Sequence, residues 1–231
     1  MTSGWPRYDL YVLTDVTLAP KRSHADIVRA ALAGGADAVQ IRDKGSTAGN
    51  LGLAVTECQR MARKFGAALF VNDRVDVAML FGADGAHVGP EDLPARAARR
   101  LLKPPALLGV SAGTLEEAKR AVKDGADYIG VGPIFATSTK ADAGPPIGTE
   151  ALAAIVRAVP VPVVAIGGLN DENVAAVGAT GAAGIAVVSA VVTAPDMAAA
   201  ARALKQRFLE GRRAAGGGTA GASGPAARSG A

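Results

Sequence analysis

The sequence predicts an α/β chain folded as a single (β/α)8, or TIM, barrel. Three observations carry that prediction: eight short apolar or β-branched runs, segments of helical period between them, and a recurring G-A-D or G-A phrase at the helix-to-strand joints. Runs this continuously apolar belong to strands covered on both faces, as in parallel sheets. Eight such units within about 205 residues give the compact form of the barrel. A doubly wound open sheet would usually show fewer strands, and no G-x-G-x-x-G follows the first run.

Residues 1–7 read as a short leader, 8–210 as the barrel and 211–231 as a disordered tail. The first strand is YDLYVL (8–13), after which Ser23 caps HADIVRAALAGG. GGAD leads into DAVQI (37–41), and Thr47 precedes the helical AGNLGLAVTECQRMARKFG. ALFV (68–71) is followed by DRVDVAML, and FGAD by GAHV (85–88) and LPARAARRLL. ALLGV (106–110) precedes a capping box in which Thr114 and Glu117 open TLEEAKRAVKDG. DGAD then introduces DYIGV (127–131), and VPVVAI (161–166) and GIAVV (184–188) complete the set. Gly34, Gly66 and Gly125 are expected as left-handed helix ends, because glycine lacks the Cβ that disfavours that conformation.

Composition excludes several functions. The formal charge is +4, but Arg212, Arg213 and Arg228 lie in the Gly/Ala-rich tail without an acid beside them. Without that tail the basic excess falls to one, so the barrel is nearly neutral and nucleic acid is not the expected partner. Five Phe, three Tyr and one Trp are too few and scattered for a base-stacking platform. No uninterrupted apolar stretch of about 18 residues predicts a membrane span. One cysteine, Cys58, allows no internal disulfide, and with no signal-peptide pattern the expected setting is the cytoplasm. Cys58 sits in a helix without a basic neighbour, His24 and His87 lack metal-ligand spacing, and neither a P-loop nor a nucleophile elbow occurs.

Catalytic groups in such barrels follow the strands, on the C-terminal face. Polar residues stand after each run: Thr14 and Asp15, Arg42 and Lys44, Asn72 and Asp73, Glu91 and Asp92, Ser111, Thr137 to Lys140, Gly167 and Gly168, and Ser189. Asp73 and Asp92 lie on neighbouring loops, where two carboxylates with waters and phosphate oxygens suit Mg²⁺. Each is equally readable as the N-cap of the helix that follows. Gln40, Arg42 and Lys44 alternate on one side of the chain while Asp43 points away, which aims two cations at an anion unless local acids pair them.

The segment 132–148 is long for a loop after a strand. Thr137, Ser138, Thr139 and Lys140 supply hydroxyls and a charge suited to phosphate oxygens. Gly168 and Ser189 occupy the loops where barrels commonly bind phosphate, although a tight turn would also explain the glycines. The residues thus outline a diphosphate site near Arg42, Lys44 and Lys140, and a monophosphate site near Gly168 and Ser189.

YVLTD (11–15), VQIRDK (39–44), VNDRVDVA (71–78), DGAHVGPEDL (84–93), LGVSAGTLEEA (108–118), GADYIGVGPIFATSTK (125–140), AIGGL (165–169) and AVVSA (186–190) together resemble the thiamine-phosphate synthase family. The resemblance runs in order from about residue 8 to 210 and rests on the combination of ND, EDL and TSTK. It implies a Mg²⁺-dependent transferase that joins 4-amino-2-methyl-5-hydroxymethylpyrimidine diphosphate to a thiazole monophosphate, giving thiamine phosphate and pyrophosphate. Carried over by position, Gln40, Arg42, Lys44, Asn72, Ser111 and Lys140 would hold the pyrimidine diphosphate. Arg42, Lys44, Ser111 and Lys140 would serve catalysis, and Asp73 and Asp92 would bind Mg²⁺. Thr137, Ser138, Thr139, Gly168, Val188 and Ser189 would hold the thiazole phosphate. The resemblance also implies self-association into a homo-oligomer.

Two details depart from the pattern: Gly113 stands where members often carry histidine, and GPED (89–92) replaces a common Gln-Asp-Asp. The nearest rival is the related thiazole tautomerase, which the diphosphate set and Gly113 argue against. A non-catalytic ligand-binding barrel is a further alternative, and the retained metal carboxylates argue against it.

Overall fold

Every strand pairs in parallel with the next in sequence, and the eighth returns to the first. In this computed structural model, which describes residues 8–139 and 144–216, the strands are β1 Tyr8–Leu13, β2 Ala38–Ile41, β3 Ala68–Asn72, β4 Gly85–Val88, β5 Leu107–Ala112, β6 Tyr128–Val131, β7 Val163–Ile166 and β8 Gly184–Val187. Between and after them run α1 His24–Ala33, α2 Ala48–Phe65, α3 Val75–Leu80, α4 Ala95–Leu101, α5 Leu115–Lys123, α6 Gly148–Ala158, α7 Val174–Gly178, α8 Ser189–Val192 and α9 Met197–Gly216. The closed (β/α)8 barrel is the fold expected from the sequence.

Period-two alternation separates two cores. Leu10, Val12, Val39, Ile41, Leu69 and Val71 face outward and pack among the buried side chains of the helices. Tyr8, Tyr11, Leu13, Ala38, Phe70, Tyr128, Val164 and Ala186 turn inward and fill the barrel. The interior is unusually aromatic, with ring centroids 4.9 Å apart for Tyr8 and Tyr128 and 5.3 Å for Phe70 and Tyr128. Such tilted and edge-on contacts suit the ring quadrupoles.

The repeated G-A-D phrase has a physical cause. Asp37, Asp84 and Asp127 precede the even-numbered strands β2, β4 and β6, and each accepts a backbone N–H from the strand before. The donors are Leu10 at 3.0 Å, Leu69 at 2.8 Å and Leu108 at 2.7 Å. The floor of the barrel would otherwise leave these amides without a partner. Lys205 and Arg99 balance two of the acids, at 2.7 Å from Asp37 and from Asp127, while Gln59 donates to Asp84.

Local signals place the helix ends. Ser23 and Thr47 cap α1 and α2, and Thr114 with Glu117 closes a capping box on α5. Gly66 and Gly125 adopt positive φ as expected, but Gly34 does not: its φ is −79°, and the left-handed residue is Gly35, one position on. Gly34 is required for a different reason, since a Cβ there would collide with Ala198 and Ala201 of α9.

The tail boundary also moves. Helix α9 continues to Gly216, so residues 211–216 belong to the barrel's outer layer, while 217–231 lie outside the described residues, as do 1–7. Gly211 is buried because backbone meets backbone there: a Cβ would overlap the carbonyl of Ala175 in α7. Arg212, one residue on, pairs at 2.7 Å with Asp9 of β1. Thus α9 ties the first strand to the last repeat. Among the described residues no helix is long and apolar enough to cross a membrane.

Candidate active site

Following the inward alternation beyond the aromatic layer leads to the C-terminal mouth. Gln40 is the last inward residue of β2, and Arg42 stands two positions further on. Asn72 ends β3 in register with His87 of β4, and Ser111 lies inward near the end of β5 and is exposed at the mouth. Sheet geometry therefore collects side chains from distant parts of the sequence onto one ring.

The two cations have acidic neighbours. Arg42 Nη1 donates to Asp15 Oδ2 at 2.6 Å, and the backbone N–H of Arg42 donates to Thr14 Oγ1 at 3.1 Å. Lys44 Nζ lies 3.5 Å from Asp73 Oδ2, with half of its side chain in solvent, so that pair is weak and free to exchange for a stronger anion. Of the two readings of these cations, pairing with nearby acids is seen for both. Asp43 points away, as expected, and meets His24 Nε2 at 3.3 Å. Gln40 is buried, and its Nε2 donates to the Tyr11 hydroxyl at 2.7 Å while Oε1 is buried without a partner.

Neither acidic residue caps a helix. Helices α3 and α4 begin after Arg74 and Pro94, neither of which makes a side-chain cap. Asp73 instead holds a left-handed backbone with φ 62°, the sole non-glycine residue of that kind among those described. Burial, and after it the neighbouring Asp92 carboxyl, push Asp73 up to about 6. Asp92 Oδ2 accepts the Gly89 N–H at 2.8 Å, which fixes the carboxylate from below. No group of three or more His, Cys, Asp or Glu side chains suited to a metal occurs among the described residues. Two close carboxylates at an open mouth could hold a hydrated hard cation.

The second group of predicted residues converges from three loops. Thr139 Oγ1 donates to Ser189 Oγ at 3.2 Å, joining the loop after β6 to α8. The Thr139 N–H donates to Thr137 Oγ1 at 3.2 Å, and Ser138 between them is exposed. Ile134 and Phe135 donate their N–H groups to Ile166 and Gly167 at 3.0 Å each, so this loop runs along the end of β7. Gly168 has φ +67°, and a Cβ there would strike the Phe135 and Ala136 carbonyls. Val188 immediately precedes α8 and packs against the barrel interior. Lys140 lies outside the described residues.

The sequence places Asp15 only among loop polar residues and gives His87 no metal-ligand spacing. His87 is bonded on both nitrogens, and one partner is Ser111 Oγ at 2.9 Å, a candidate site residue. The usable signal was inward register: His87 shares the barrel face of Asn72 and Ser111. Cys58 is fully buried, and burial pushes its thiol up to about 12, which excludes a thiolate nucleophile.

A parallel barrel with cations, paired carboxylates and hydroxyls on its C-terminal rim defines a (β/α)8-barrel enzyme. The thiamine monophosphate synthase family matches residues 10–191. A thiamine-phosphate synthase of Moorella thermoacetica is 52% identical over 207 residues, covering 90% of this chain and 99% of that protein. One from Chloroflexus aurantiacus is 54% identical over 196 residues, covering 85% and 90% respectively. The solved structure of a thiamine phosphate pyrophosphorylase from Pyrococcus furiosus superposes with TM-score 0.82 at 42% identity, covering 88% of this chain and 96% of that one. The chain belongs to the thiamine monophosphate synthase family and is a transferase.

Proposed function

We propose that the protein couples 4-amino-2-methyl-5-hydroxymethylpyrimidine diphosphate to a thiazole monophosphate, forming thiamine phosphate and releasing pyrophosphate. The observation that carries this reading is the convergence of Arg42, Lys44, Asp73, Asp92 and Ser111, from the C-terminal ends of four successive strands, β2 to β5, on one mouth. The Thr139–Ser189 and Gly168 corner supplies a second anion cradle.

Asp73 and Asp92 would hold Mg²⁺, and their mutual repulsion and the raised Asp73 pKa fit a pair that awaits a cation. Bound there, Mg²⁺ would neutralise charge on the diphosphate. Arg42 and Lys44 stabilise the charge that grows on the diphosphate as the carbon–oxygen bond breaks, and by its sequence position Lys140 is assigned to the same task. The bonding pair leaves with the diphosphate, and the aminopyrimidine spreads the positive charge left on its methylene. The thiazole nitrogen then donates its lone pair to that carbon. Gly168, Ser189 and Thr137 to Thr139 hold the thiazole phosphate in place for that attack. No protein nucleophile takes part, which agrees with the inert Cys58.

The reaction is proposed as cytoplasmic. Purified protein incubated with both substrates and Mg²⁺ should yield thiamine phosphate and pyrophosphate in equal amounts. Isomerisation of the thiazole without coupling would instead favour a tautomerase, and neither product would sink both readings.

A further inference from the structure

A continuous hydrogen-bond chain crosses the barrel interior and ends at the mouth. Gln40 Nε2 donates to Tyr11 Oη at 2.7 Å, and Tyr11 Oη lies 3.0 Å from Tyr128 Oη. Tyr128 Oη lies 3.0 Å from His87 Nδ1, and His87 Nε2 lies 2.9 Å from Ser111 Oγ. Four residues separated widely in sequence are thus linked to one exposed serine.

Proton counting gives the chain a direction. Burial raises the Tyr11 and Tyr128 pKa values far above neutrality, so both phenols keep their protons. Tyr11 already accepts from Gln40, so its own O–H goes to the Tyr128 oxygen. The Tyr128 proton then goes to His87 Nδ1, which must be the bare nitrogen of the ring. An imidazole whose Nδ1 is bare is neutral and carries its one proton on Nε2. Nε2–H donates to Ser111 Oγ, which leaves the Ser111 O–H to point elsewhere. With the Gln40 amide donating to Tyr11, the reverse direction would leave the Tyr11 proton buried without an acceptor, at a cost of about 1–3 kcal/mol.

The sequence makes room for this chain. Inward positions Gly109 and Gly130 flank it on β5 and β6. A Cβ on Gly109 would overlap Tyr128 and His87, and one on Gly130 would lie 3.0 Å from His87 Cε1. Tyr128 also stacks with Tyr8 and Phe70, so its hydroxyl has little freedom.

We propose that Tyr11, Tyr128 and His87 are positioning residues that make Ser111 a committed hydrogen-bond donor to the diphosphate. A free serine hydroxyl both donates and accepts, whereas one already accepting from Nε2–H presents its proton to an anion at no reorganisation cost. The inference rests on the coupling reaction above for its ligand, but the direction of the chain does not.

Two measurements test it. In nitrogen-15 histidine-labelled protein, only His24 and His87 contribute signals, and a His87→Gln variant assigns them. At neutral pH His87 should show protonated Nε2 and bare Nδ1. A proton on Nδ1 overturns the proposal whether or not the protein makes thiamine phosphate. In the coupling assay, Tyr128→Phe should lower kcat about tenfold and leave KM for the thiazole phosphate unchanged, with the melting curve still cooperative. In a Ser111→Ala background the same substitution should change kcat less than about twofold, because its route of action is gone. Equal losses in both backgrounds would mean a merely structural role. Wild-type protein that fails to couple the substrates removes the ligand assignment, and the histidine spectrum still decides the chain.

Discussion

Arg42 is anchored before any ligand arrives: its guanidinium lies 2.6 Å from Asp15, whose carboxylate is buried at the end of β1 and also accepts the Thr17 N–H at 3.0 Å. One arm of the guanidinium is held, and Arg presents five donors in a fixed plane. The remaining donors are therefore aimed by the pair, so that under the proposed function Asp15 would act on diphosphate recognition without touching the ligand.

Asp15→Asn should weaken that aim while preserving size. The expected result is an approximately tenfold rise in KM for the pyrimidine diphosphate, about 1.4 kcal/mol, with KM for the thiazole phosphate unchanged. Calorimetric titration of the diphosphate against both proteins checks it, and equal affinities would show that Arg42 needs no anchor.

Asp73→Asn should separate stability from activity. Asparagine tolerates the left-handed backbone at this site and relieves repulsion from Asp92. Coupling should fall at least about 100-fold, consistent with loss of a transition-state interaction of about 2.7 kcal/mol or more. The metal-free protein should melt no lower than wild type at neutral pH. Asp73→Ala should melt lower than Asp73→Asn, since alanine lacks that tolerance, and a thermal scan of the three proteins distinguishes these outcomes.

Ser189→Ala removes the acceptor of the Thr139 hydroxyl and a polar group of the proposed monophosphate corner. KM for the thiazole phosphate should rise about five- to tenfold, within the range of about 1–1.5 kcal/mol for one hydrogen bond. The diphosphate KM should hold constant. Steady-state kinetics with one substrate varied at a time reads both numbers, and a shift confined to the diphosphate would reassign the corner.

Acid should act through two opposing groups. His87 titrates at about 4 in the fold and near 6.5 unfolded, so the unfolded chain takes up its proton first. That contribution to stability is lost as pH falls from about 6.5 to about 4. Asp73 titrates at about 6 folded and near 3.9 unfolded, so the fold binds its proton first and gains stability over much the same window. Metal-free wild type should therefore show a shallow melting profile there, and Asp73→Asn a steeper decline on acidification. Parallel profiles would contradict the opposition.

Much of the fold is readable in the residues because each signal is local. Ser23, Thr47 and Thr114 announce helix starts by hydroxyls that reach their own backbone, and the strands announce themselves by β-branched runs. The G-A-D phrase locates the joints, although its role in holding the preceding strand emerges only when Asp37, Asp84 and Asp127 are seen beneath Leu10, Leu69 and Leu108. What the residues did not reveal depends on pairing across the barrel. Arg42 with Asp15 and His87 with Ser111 are 27 and 24 positions apart, and neither spacing marks a partner. Gly34 was misplaced by one residue because two adjacent glycines fit the same helix end, and tertiary contact with α9 assigned their roles. The reading of 211–216 as tail failed for a related reason: Gly and Ala there look featureless alone, yet smallness is what lets α9 touch α7.

The Arg212–Asp9 pair and the close approach of Gly211 to Ala175 have a temporal meaning. A ribosome delivers β1 before the other seven strands and α9 after them all, so the strand that must meet β8 waits for all of them before Arg212 arrives. Until β8 is made, β1 presents an unpaired edge to which other chains can add. Closure of this barrel thus waits on segments made long after the strand they complete.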